Sequence, residues 1–215
     1  GEGIAKSFSE AGASVVLAAR RTEEIDRVAA EINESGGSAI AVTTDVTDDD
    51  AVENLAKATI SEYGKLTTWV NNAGGSPMRM PLSDLPREEW DRTVALNLTS
   101  IYIGCVTAAK YMTKGSIINI TSGAGSGPVP GSGHYGASKA GTNSLTWTLS
   151  AELAPDIRVN AVAPGAILEP PGSSWSEEVR NKILSAIPLG RLGTEKDIAG
   201  TVKFLVDSEY ITGQA

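Results

Sequence analysis

The hydrophobic positions of this chain fall into two patterns that alternate along its length. Short, continuous apolar runs rich in β-branched residues predict strands that are buried on both faces of a sheet. Longer segments with a helical pattern, some of them ending at glycine, predict helices. The apolar runs predict strands at residues 14–18, 39–42, 66–70, 116–121 and 157–162. The predicted helices are residues 6–11, 22–35, 48–63, 86–112, 135–154, 177–185 and 195–206.

The strict alternation of strands and helices predicts the fold class. A strand, a helix and a second parallel strand form a right-handed crossover, and the helices then cover both faces of a parallel sheet. We therefore expect an α/β protein with a doubly wound parallel sheet in three α/β/α layers. No internal repeat or linker interrupts the pattern, so residues 1–215 are expected to form a single domain. The Gly/Pro/Ser-rich stretch 122–133 is interpreted as a site loop at the carboxyl ends of the strands.

Composition narrows the class of protein. A chain of 215 residues with 41% hydrophobic and 20% charged residues can bury a core without disulfides or metals, which excludes a disordered protein. The single Cys105 and the single His134 cannot form an internal disulfide or a Cys/His zinc site. A net charge of −8 argues against nucleic acid or an anionic membrane as a partner, and no apolar run reaches the roughly 18 residues of a membrane span. We expect a soluble, acidic, cytoplasmic protein without a metal site.

The first candidate for chemistry is Tyr135, followed four residues later by Lys139. This spacing places a phenol and an ammonium on one face of a helix. The pair alone is weak evidence, because a surface tyrosine beside a solvated lysine gives the same pattern. Ser122 strengthens the functional interpretation, because it ends the fourth predicted strand and the following loop can bring its hydroxyl beside the phenol.

Two further segments suggest a nucleotide ligand. Residues 71–75, Asn-Asn-Ala-Gly-Gly, are either an ordinary turn or a tight strand exit whose backbone lies against a flat ligand. Gly1 and Gly3 precede a helix and a strand, as in the tail of a dinucleotide-binding βαβ unit. Arg20 and Arg21 then stand where an acid would hold a ribose 2′-hydroxyl, so they either accept a 2′-phosphate or are simply solvated.

Together these segments resemble the short-chain dehydrogenase/reductase family over nearly the whole chain. Residues 187–193 and 210–213 are similar to its bacterial 3-oxoacyl thioester reductases and hydroxysteroid dehydrogenases. The resemblance implies a dinucleotide-binding Rossmann fold and the interconversion of a ketone and a secondary alcohol. The residues that carry it, in the order and spacing of the family, are Gly1, Ile4, Ala5, Asp45, Val46, Asn71 to Gly74, Asn97, Ser122, Tyr135, Lys139, Pro164 and Gly165.

The resemblance also implies a role for each matching residue. Tyr135 would be the general acid/base, Ser122 would hydrogen-bond the substrate oxygen, and Asn97 would support a water-linked proton relay. Lys139 would bind the nicotinamide ribose and stabilise the tyrosine phenolate. The remaining cofactor contacts would be Gly1, Asn72, Ala73 and Gly74 along the dinucleotide, Asp45 and Val46 at the adenine, and Pro164, Gly165 and Ile167 at the nicotinamide.

The expected cofactor is NADP(H), because Ala19 replaces an acid and Arg20 and Arg21 would pair with the 2′-phosphate. NAD(H) is the alternative, with the arginines stacked on the adenine. A hydroxysteroid or sugar dehydrogenase and a cofactor-binding relative without turnover also stay open. The expected partner is a small carbonyl or alcohol substrate. Helices 86–112 and 135–154 are apolar on several faces, and with the resemblance they predict a homodimer or homotetramer.

The sequence departs from the family pattern at three places, its two ends and Glu169. The chain begins at what resembles the last glycine of the phosphate loop and stops just after Gly213, so we expect a longer protein with a further first strand and a further last strand. That first strand would lie between strands 14–18 and 66–70, and its removal would leave two half-sheets. Glu169 stands where the family usually carries a threonine that bonds the nicotinamide carboxamide.

Overall fold

The computed structural model describes residues 1–76, 78–167 and 175–215. Strands and helices alternate through most of the chain, as the hydrophobic pattern predicts. The strands are β1 (Ser14–Ala19), β2 (Ser38–Thr43), β3 (Thr68–Asn71), β4 (Gly115–Ile120) and β5 (Ile157–Val162). The helices are α1 (Glu2–Glu10), α2 (Thr22–Glu34), α3 (Asp49–Tyr63), α4 (Arg87–Val94), α5 (Ser100–Tyr111), α6 (Gly133–Glu152), α7 (Glu177–Ser185) and α8 (Glu195–Asp207).

Two predicted helices differ most from the structure. α1 begins at Glu2, directly after its N-cap Gly1, and not at residue 6. The single helix predicted over 86–112 is divided into α4 and α5 by a π-helical turn at Ala95–Thr99. Residue propensities do not distinguish a π turn from an α turn, so the sequence pattern runs through it unbroken. Such turns are frequent at functional sites, and this one carries the buried Asn97.

The strands form two parallel sheets. β1 pairs with β2 from Ser14↔Ser38 to Ala19↔Thr43, and β3, β4 and β5 pair in that order. Within the described residues no strand pairing joins β1 to β3, the strands between which the sequence predicts a further strand. The parallel arrangement confirms the α/β prediction, whereas the further strand stays a prediction.

Successive residues of β4 show that helices cover both faces of the three-stranded sheet. Ile117 packs with Ile101 and Cys105 of α5, whereas Ile118 packs with residues of α1 and α8. Neighbouring strand residues point to opposite faces, so these two clusters define three layers. A third cluster fills the space between α2 and the β1–β2 sheet. The predicted three-layer α/β/α fold is confirmed.

Hydrogen bonds connect β5 both to the last residues of the chain and to the end of α8. Gly213 N donates to Val159 O (2.8 Å), so this segment runs beside the strand. The Arg158 guanidinium donates to the carbonyl oxygens of Leu205 (2.7 Å) and Val206 (2.7 Å) in the last turn of α8. These bonds satisfy backbone groups at the helix end, where a cation is also favoured by the helix dipole. The further last strand stays a prediction.

Two features are not found in the part of the chain that the structure describes. No described helix is both long and apolar enough to cross a membrane. Across residues 1–76, 78–167 and 175–215, no group of three or more His, Cys, Asp or Glu side chains is placed to hold a metal ion.

Burial raises the pKa of the Cys105 thiol to about 12, so this side chain packs as an apolar group.

Candidate active site

The loops that follow the strands carry most of the residues predicted to bind a dinucleotide. Arg20 follows β1, Asp45 lies beyond β2, Asn72 follows β3, Ser122 lies beyond β4 and Pro164 lies beyond β5. The strands of each sheet are parallel, so their carboxyl ends lie at one edge. In open α/β sheets this edge is where ligands bind.

The start of α1 lies against the loop that follows β3. A Cβ atom built on Gly1 would lie 3.2 Å from Asn72 Nδ2, so these two predicted residues meet. α1 also approaches α8 closely, because a Cβ built on Gly3 would lie 2.7 Å from Glu195 Cβ. A helix N-terminus carries free N–H groups and a partial positive charge, which suit an anionic group.

Tyr135 and Lys139 share one face of α6, as their spacing predicts. Lys139 Nζ lies 5.7 Å from the centroid of the Tyr135 ring. The Lys139 side chain is buried, and its Nζ donates to the Ile120 carbonyl oxygen at the end of β4 (2.8 Å). Burial disfavours the charged amine and lowers the pKa of Lys139 to about 8. The amine is therefore held beside the phenol, at the strand end that leads to Ser122.

Ser122 is positioned by a close contact between two backbone segments. It caps the short 3₁₀ turn Gly123–Gly125, and its Oγ accepts a backbone N–H of that turn (3.2 Å). A Cβ atom built on Gly125 would lie 2.7 Å from the Lys139 carbonyl carbon. Only a residue without a side chain lets the turn rest directly on α6. The structure thus brings the Ser122 turn to the helix that carries Tyr135 and Lys139.

Asn97, the fourth predicted catalytic residue, is fully buried in the π turn and holds the loop after β3. Its Oδ1 accepts from Gly75 N (2.8 Å), and its Nδ2 donates to Gly75 O (2.9 Å). A Cβ built on Gly74 would lie 2.8 Å from Asn97 Oδ1 and 3.2 Å from Lys139 Nζ. Asn97 therefore fixes Gly74 and Gly75 beside Lys139, and its part in a proton relay stays a prediction.

Asp45, Arg20 and Arg21 lie at the ends of the β1–β2 sheet. Asp45 Oδ1 accepts from Thr47 N (2.9 Å) and from Thr47 Oγ1 (2.7 Å). These bonds, with a smaller effect of the Arg20 charge, hold the pKa of Asp45 below its usual value. The Arg20 and Arg21 side chains are exposed, and neither forms an ion pair with another described residue. The neighbouring Val46 is partly buried.

The loop after β5 carries the last predicted contacts. Pro164 is partly buried, and Gly165 is exposed, with no atom of the described residues within 4 Å of a Cβ built on it. Ile167 forms an isolated β-bridge with Gly193. The departure predicted at Glu169 lies outside the described residues.

Sequence reasoning missed a buried contact beside this site. His134 precedes Tyr135 on α6 and has no exposed surface, and its Nε2 lies 2.8 Å from Ser76 Oγ. In the sequence, His134 stands out only as a candidate zinc ligand, and one histidine with one cysteine is too few for a zinc site. Its position next to Tyr135 is the one available signal, and its partner lies 58 residues away along the chain.

A second missed feature is a row of polar side chains behind the site. Trp69 Nε1 donates to Asn71 Oδ1 (2.7 Å), and Asn71 Nδ2 donates to Asn119 Oδ1 (2.9 Å). Asn119 Nδ2 donates in turn to Thr146 Oγ1 (3.0 Å). The row joins β3, β4 and α6, so Asn71 fixes the exit of β3 from within the protein.

Known proteins are similar to this chain over its whole length. A family model described as enoyl-(acyl carrier protein) reductase matches residues 1–215. A 3-oxoacyl-[acyl-carrier-protein] reductase of Synechocystis sp. is 38% identical over 222 residues, which cover 100% of this chain and 88% of the relative. The chain belongs to the short-chain dehydrogenase/reductase family. Another 3-oxoacyl-[acyl-carrier-protein] reductase, from Thermotoga maritima, is 36% identical over 96% of this chain and 86% of its own length.

Solved structures agree with this assignment. A putative short-chain alcohol dehydrogenase from Sinorhizobium meliloti 1021 superposes with a TM-score of 0.92 at 34% identity, covering 99% of this chain and 87% of that one. A 7α-hydroxysteroid dehydrogenase complexed with NADH and 7-oxo glycochenodeoxycholic acid gives 0.94 at 35% identity, covering 100% and 86%. The predicted family, its Rossmann fold and its class as an oxidoreductase are confirmed.

We predict that Gly125→Ala destabilises this short-chain dehydrogenase/reductase by about 1–3 kcal/mol, the usual range for overpacking. The added methyl would lie 2.7 Å from the backbone of Lys139 and would push the Ser122 turn away from α6. Gly127→Ala is the matched control, because a Cβ there meets no atom of the described part of the chain within 4 Å. Urea denaturation measures both variants, and equal stabilities would contradict the prediction.

The buried Lys139 predicts a stability that rises at alkaline pH. The folded protein loses this proton near pH 8, whereas the unfolded chain keeps it up to about 10.5. Between these values the unfolded chain binds more protons, so the free energy of unfolding increases with pH. Relative to Lys139→Met, the wild type should gain about 3 kcal/mol over this window.

Urea denaturation below pH 8 and near pH 10.5 measures this difference. Lys114→Met is the control, because Lys114 is exposed and its loss should leave the pH dependence of the wild type unchanged. Parallel pH profiles for the wild type and Lys139→Met would show that burial does not perturb the amine.

Proposed function

We propose that this protein is an NADP(H)-dependent oxidoreductase that interconverts a ketone and a secondary alcohol, with Tyr135 as general acid/base. The observation that carries the proposal is the buried Lys139 amine, 5.7 Å from the Tyr135 ring and bonded to the Ile120 carbonyl. A buried amine without a carboxylate partner is unfavourable, and such groups concentrate at functional sites. Ser122 follows at the same strand end.

The residues present fit a nicotinamide dinucleotide. The α1 N-terminus beside Asn72 suits the pyrophosphate, and the exposed backbone of Gly74 and Gly165 leaves room for a ligand. The 7α-hydroxysteroid dehydrogenase of the same fold is complexed with NADH, which supports this class of cofactor. The residues that would hold it are Gly1, Asn72, Ala73, Gly74, Lys139, Pro164, Gly165 and Ile167, with Asp45, Val46, Arg20 and Arg21 at the adenosine end.

The cofactor supplies the hydride, and the chain positions the substrate and moves the proton. Lys139 carries a positive charge below its pKa of about 8, and its amine lies 5.7 Å from the centroid of the Tyr135 ring. A positive charge at this distance favours the negative charge that develops on the phenol oxygen when Tyr135 acts as a base. During reduction Tyr135 Oη donates its proton to the carbonyl oxygen, while the Ser122 hydroxyl donates a hydrogen bond to that oxygen.

We infer that a 3-oxoacyl thioester is the first substrate to test. Relatives that cover the chain at 36–38% identity are named 3-oxoacyl-[acyl-carrier-protein] reductases. A 7-oxo steroid is the second candidate, because the 7α-hydroxysteroid dehydrogenase structure is similar over the whole chain. Both substrates present a ketone oxygen, which two hydroxyl donors at Ser122 and Tyr135 would bind.

We predict that Tyr135→Phe lowers kcat by about 10²- to 10⁴-fold and leaves NADPH binding within about twofold, because only the proton donor is removed. Tyr210→Phe is the control, since that phenol is fully exposed at the C-terminal end. NADPH absorbance is followed with a 3-oxoacyl thioester, a 7-oxo steroid and a keto sugar. A wild type that binds NADPH and reduces none of a broad carbonyl panel would support a binding protein without turnover.

The second prediction concerns the choice of cofactor. A charge-assisted contact between Arg20 and the 2′-phosphate contributes about 1.5–3 kcal/mol, so Arg20→Ala should weaken NADPH binding about ten- to a hundredfold and NADH binding little. Arg79→Ala is the control, because Arg79 is an exposed arginine outside the adenosine end. Fluorescence titration with both dinucleotides measures the effect. Equal affinities of the wild type for NADPH and NADH, or an unchanged NADPH preference in Arg20→Ala, would contradict the predicted preference for NADP(H).

We also propose that α5 and α6 form an interface between copies of this chain. Tyr102 and Trp147 are 51% and 54% exposed, and Val106 is exposed beside them. The opposite face of α5 is buried on the sheet, so the helix presents apolar groups in both directions. The groove at this face is lined by Leu98, Thr99, Tyr102, Gly141, Ser144 and Leu145.

We predict a homodimer or homotetramer that Trp147→Asp dissociates. A carboxylate at the centre of an apolar interface loses its hydration without a partner, so the assembly should fall apart at micromolar concentration. Light scattering should give a mass of at least twice 22.3 kDa for the wild type and for the control Val179→Asp on α7. A monomeric wild type would refute the assembly.

A further inference from the structure

His134 is the only histidine of the chain, and it is buried at the start of α6 directly before Tyr135. Its Nε2 lies 2.8 Å from the Ser76 hydroxyl. Its Nδ1 is also buried and has no hydrogen-bond partner among the described residues. A buried imidazole is unfavourable unless it is hydrogen-bonded, so the contact with Ser76 is the interaction that compensates this burial.

Ser76 belongs to the loop that Asn97 holds on its other side. Asn97 binds both backbone groups of Gly75, at 2.8 and 2.9 Å, so two fully buried side chains hold consecutive residues of this loop. Asn97 extends from the π turn, and His134 extends from α6. We call Gly74, Gly75 and Ser76 the clasped loop.

Met80 and Leu82, which follow the clasped loop along the chain, also contact the start of α6. Met80 N donates to Gly131 O (2.8 Å), two residues before α6 begins. A Cβ built on Gly133 would lie 2.7 Å from Leu82 Cδ1, so Leu82 packs on the first turn of the helix. The connection after β3 is thus packed on the segment that carries Tyr135, and His134 is its buried polar link.

We propose that His134 is a positioning residue that, through Ser76, fixes the clasped loop beside Lys139 and so preorganises the surface that binds the nicotinamide dinucleotide. The inference rests on the proposed function for the identity of the ligand. A Cβ built on Gly74 would lie 3.2 Å from Lys139 Nζ, so this residue of the loop lies beside the amine. His134 affects the binding of the ligand by holding the loop backbone in place before the ligand arrives. A loop that becomes ordered only during binding lowers the affinity.

The variants are chosen to separate the hydrogen bond from the packing of His134. Ser76→Ala removes the hydroxyl from a partly buried loop position and leaves the core of α6 unchanged. His134→Leu keeps an apolar side chain of similar size but no donor or acceptor. His134→Gln keeps a nitrogen at a reach close to Nε2 and serves as the rescue variant. Ser83→Ala is the matched control, since that hydroxyl is exposed in the same connection and, among the described residues, donates to the Asp84 carboxylate.

NADPH and NADH titrations by fluorescence should give a dissociation constant about five- to tenfold higher for Ser76→Ala and for His134→Leu, the range expected for one hydrogen bond. The double variant should be no weaker than Ser76→Ala, because both single variants remove the bond between His134 and Ser76, and Ser76→Ala alone also removes the longer bond from Ser76 Oγ to Met78 O (3.4 Å). His134→Gln and Ser83→Ala should stay within about twofold of the wild type. In turnover the loss should appear in the KM for the dinucleotide, while kcat and its pH profile stay unchanged.

Hydrogen exchange without cofactor provides a readout that needs no ligand. The Gly75 amide should exchange faster in Ser76→Ala and His134→Leu, because the clasped loop opens more often. A wild type that binds neither dinucleotide would defeat the proposed function, and exchange at Gly75 would still decide whether His134 holds the loop. A wild type that binds, with variants that match it in affinity and in Gly75 exchange, would overturn the role of His134. Variants that lose only thermal stability would overturn it in the same way.

Discussion

The burial of the Lys139 amine is the constraint on which the site depends. A charged group leaves water at a large cost in free energy, and here the hydrogen bond to the Ile120 carbonyl oxygen compensates part of it. That bond also ties α6 to the end of β4, so it sets the position of Tyr135 relative to Ser122. A lysine turned toward solvent would remove both the charge beside the phenol and this link between helix and strand.

Close approach of backbones sets the remaining dimensions of the site. Gly74 lies against Asn97 and Lys139, and Gly125 rests on the backbone of α6, so a side chain at either position would enter filled space. Protein interiors contain few voids, and a displacement at one such contact is passed to its neighbours. The glycine positions therefore matter to the geometry of the site as well as the residues proposed to carry its chemistry.

The clasped loop connects the two halves of the site. Asn97 holds it from the π turn and His134 holds it from α6, so the backbone expected to face the dinucleotide and the helix that carries Tyr135 form one packed unit. Buried polar groups that are hydrogen-bonded favour one arrangement over its alternatives, and Asn97 meets this condition with its bonds to both backbone groups of Gly75. A helix irregularity and a buried histidine thus lie beside the residues proposed to carry the chemistry.

The sequence by itself determined the order of strands and helices, their packing in three layers, and the shared helix face of Tyr135 and Lys139. These follow from spacings of two to four residues, which the local backbone geometry imposes. Only the tertiary structure decided the π turn at Ala95–Thr99, the contact of Gly125 with α6 and the bond between His134 and Ser76. Residues 58 positions apart meet only after whole elements have packed, and no local pattern records which side chains will then face each other.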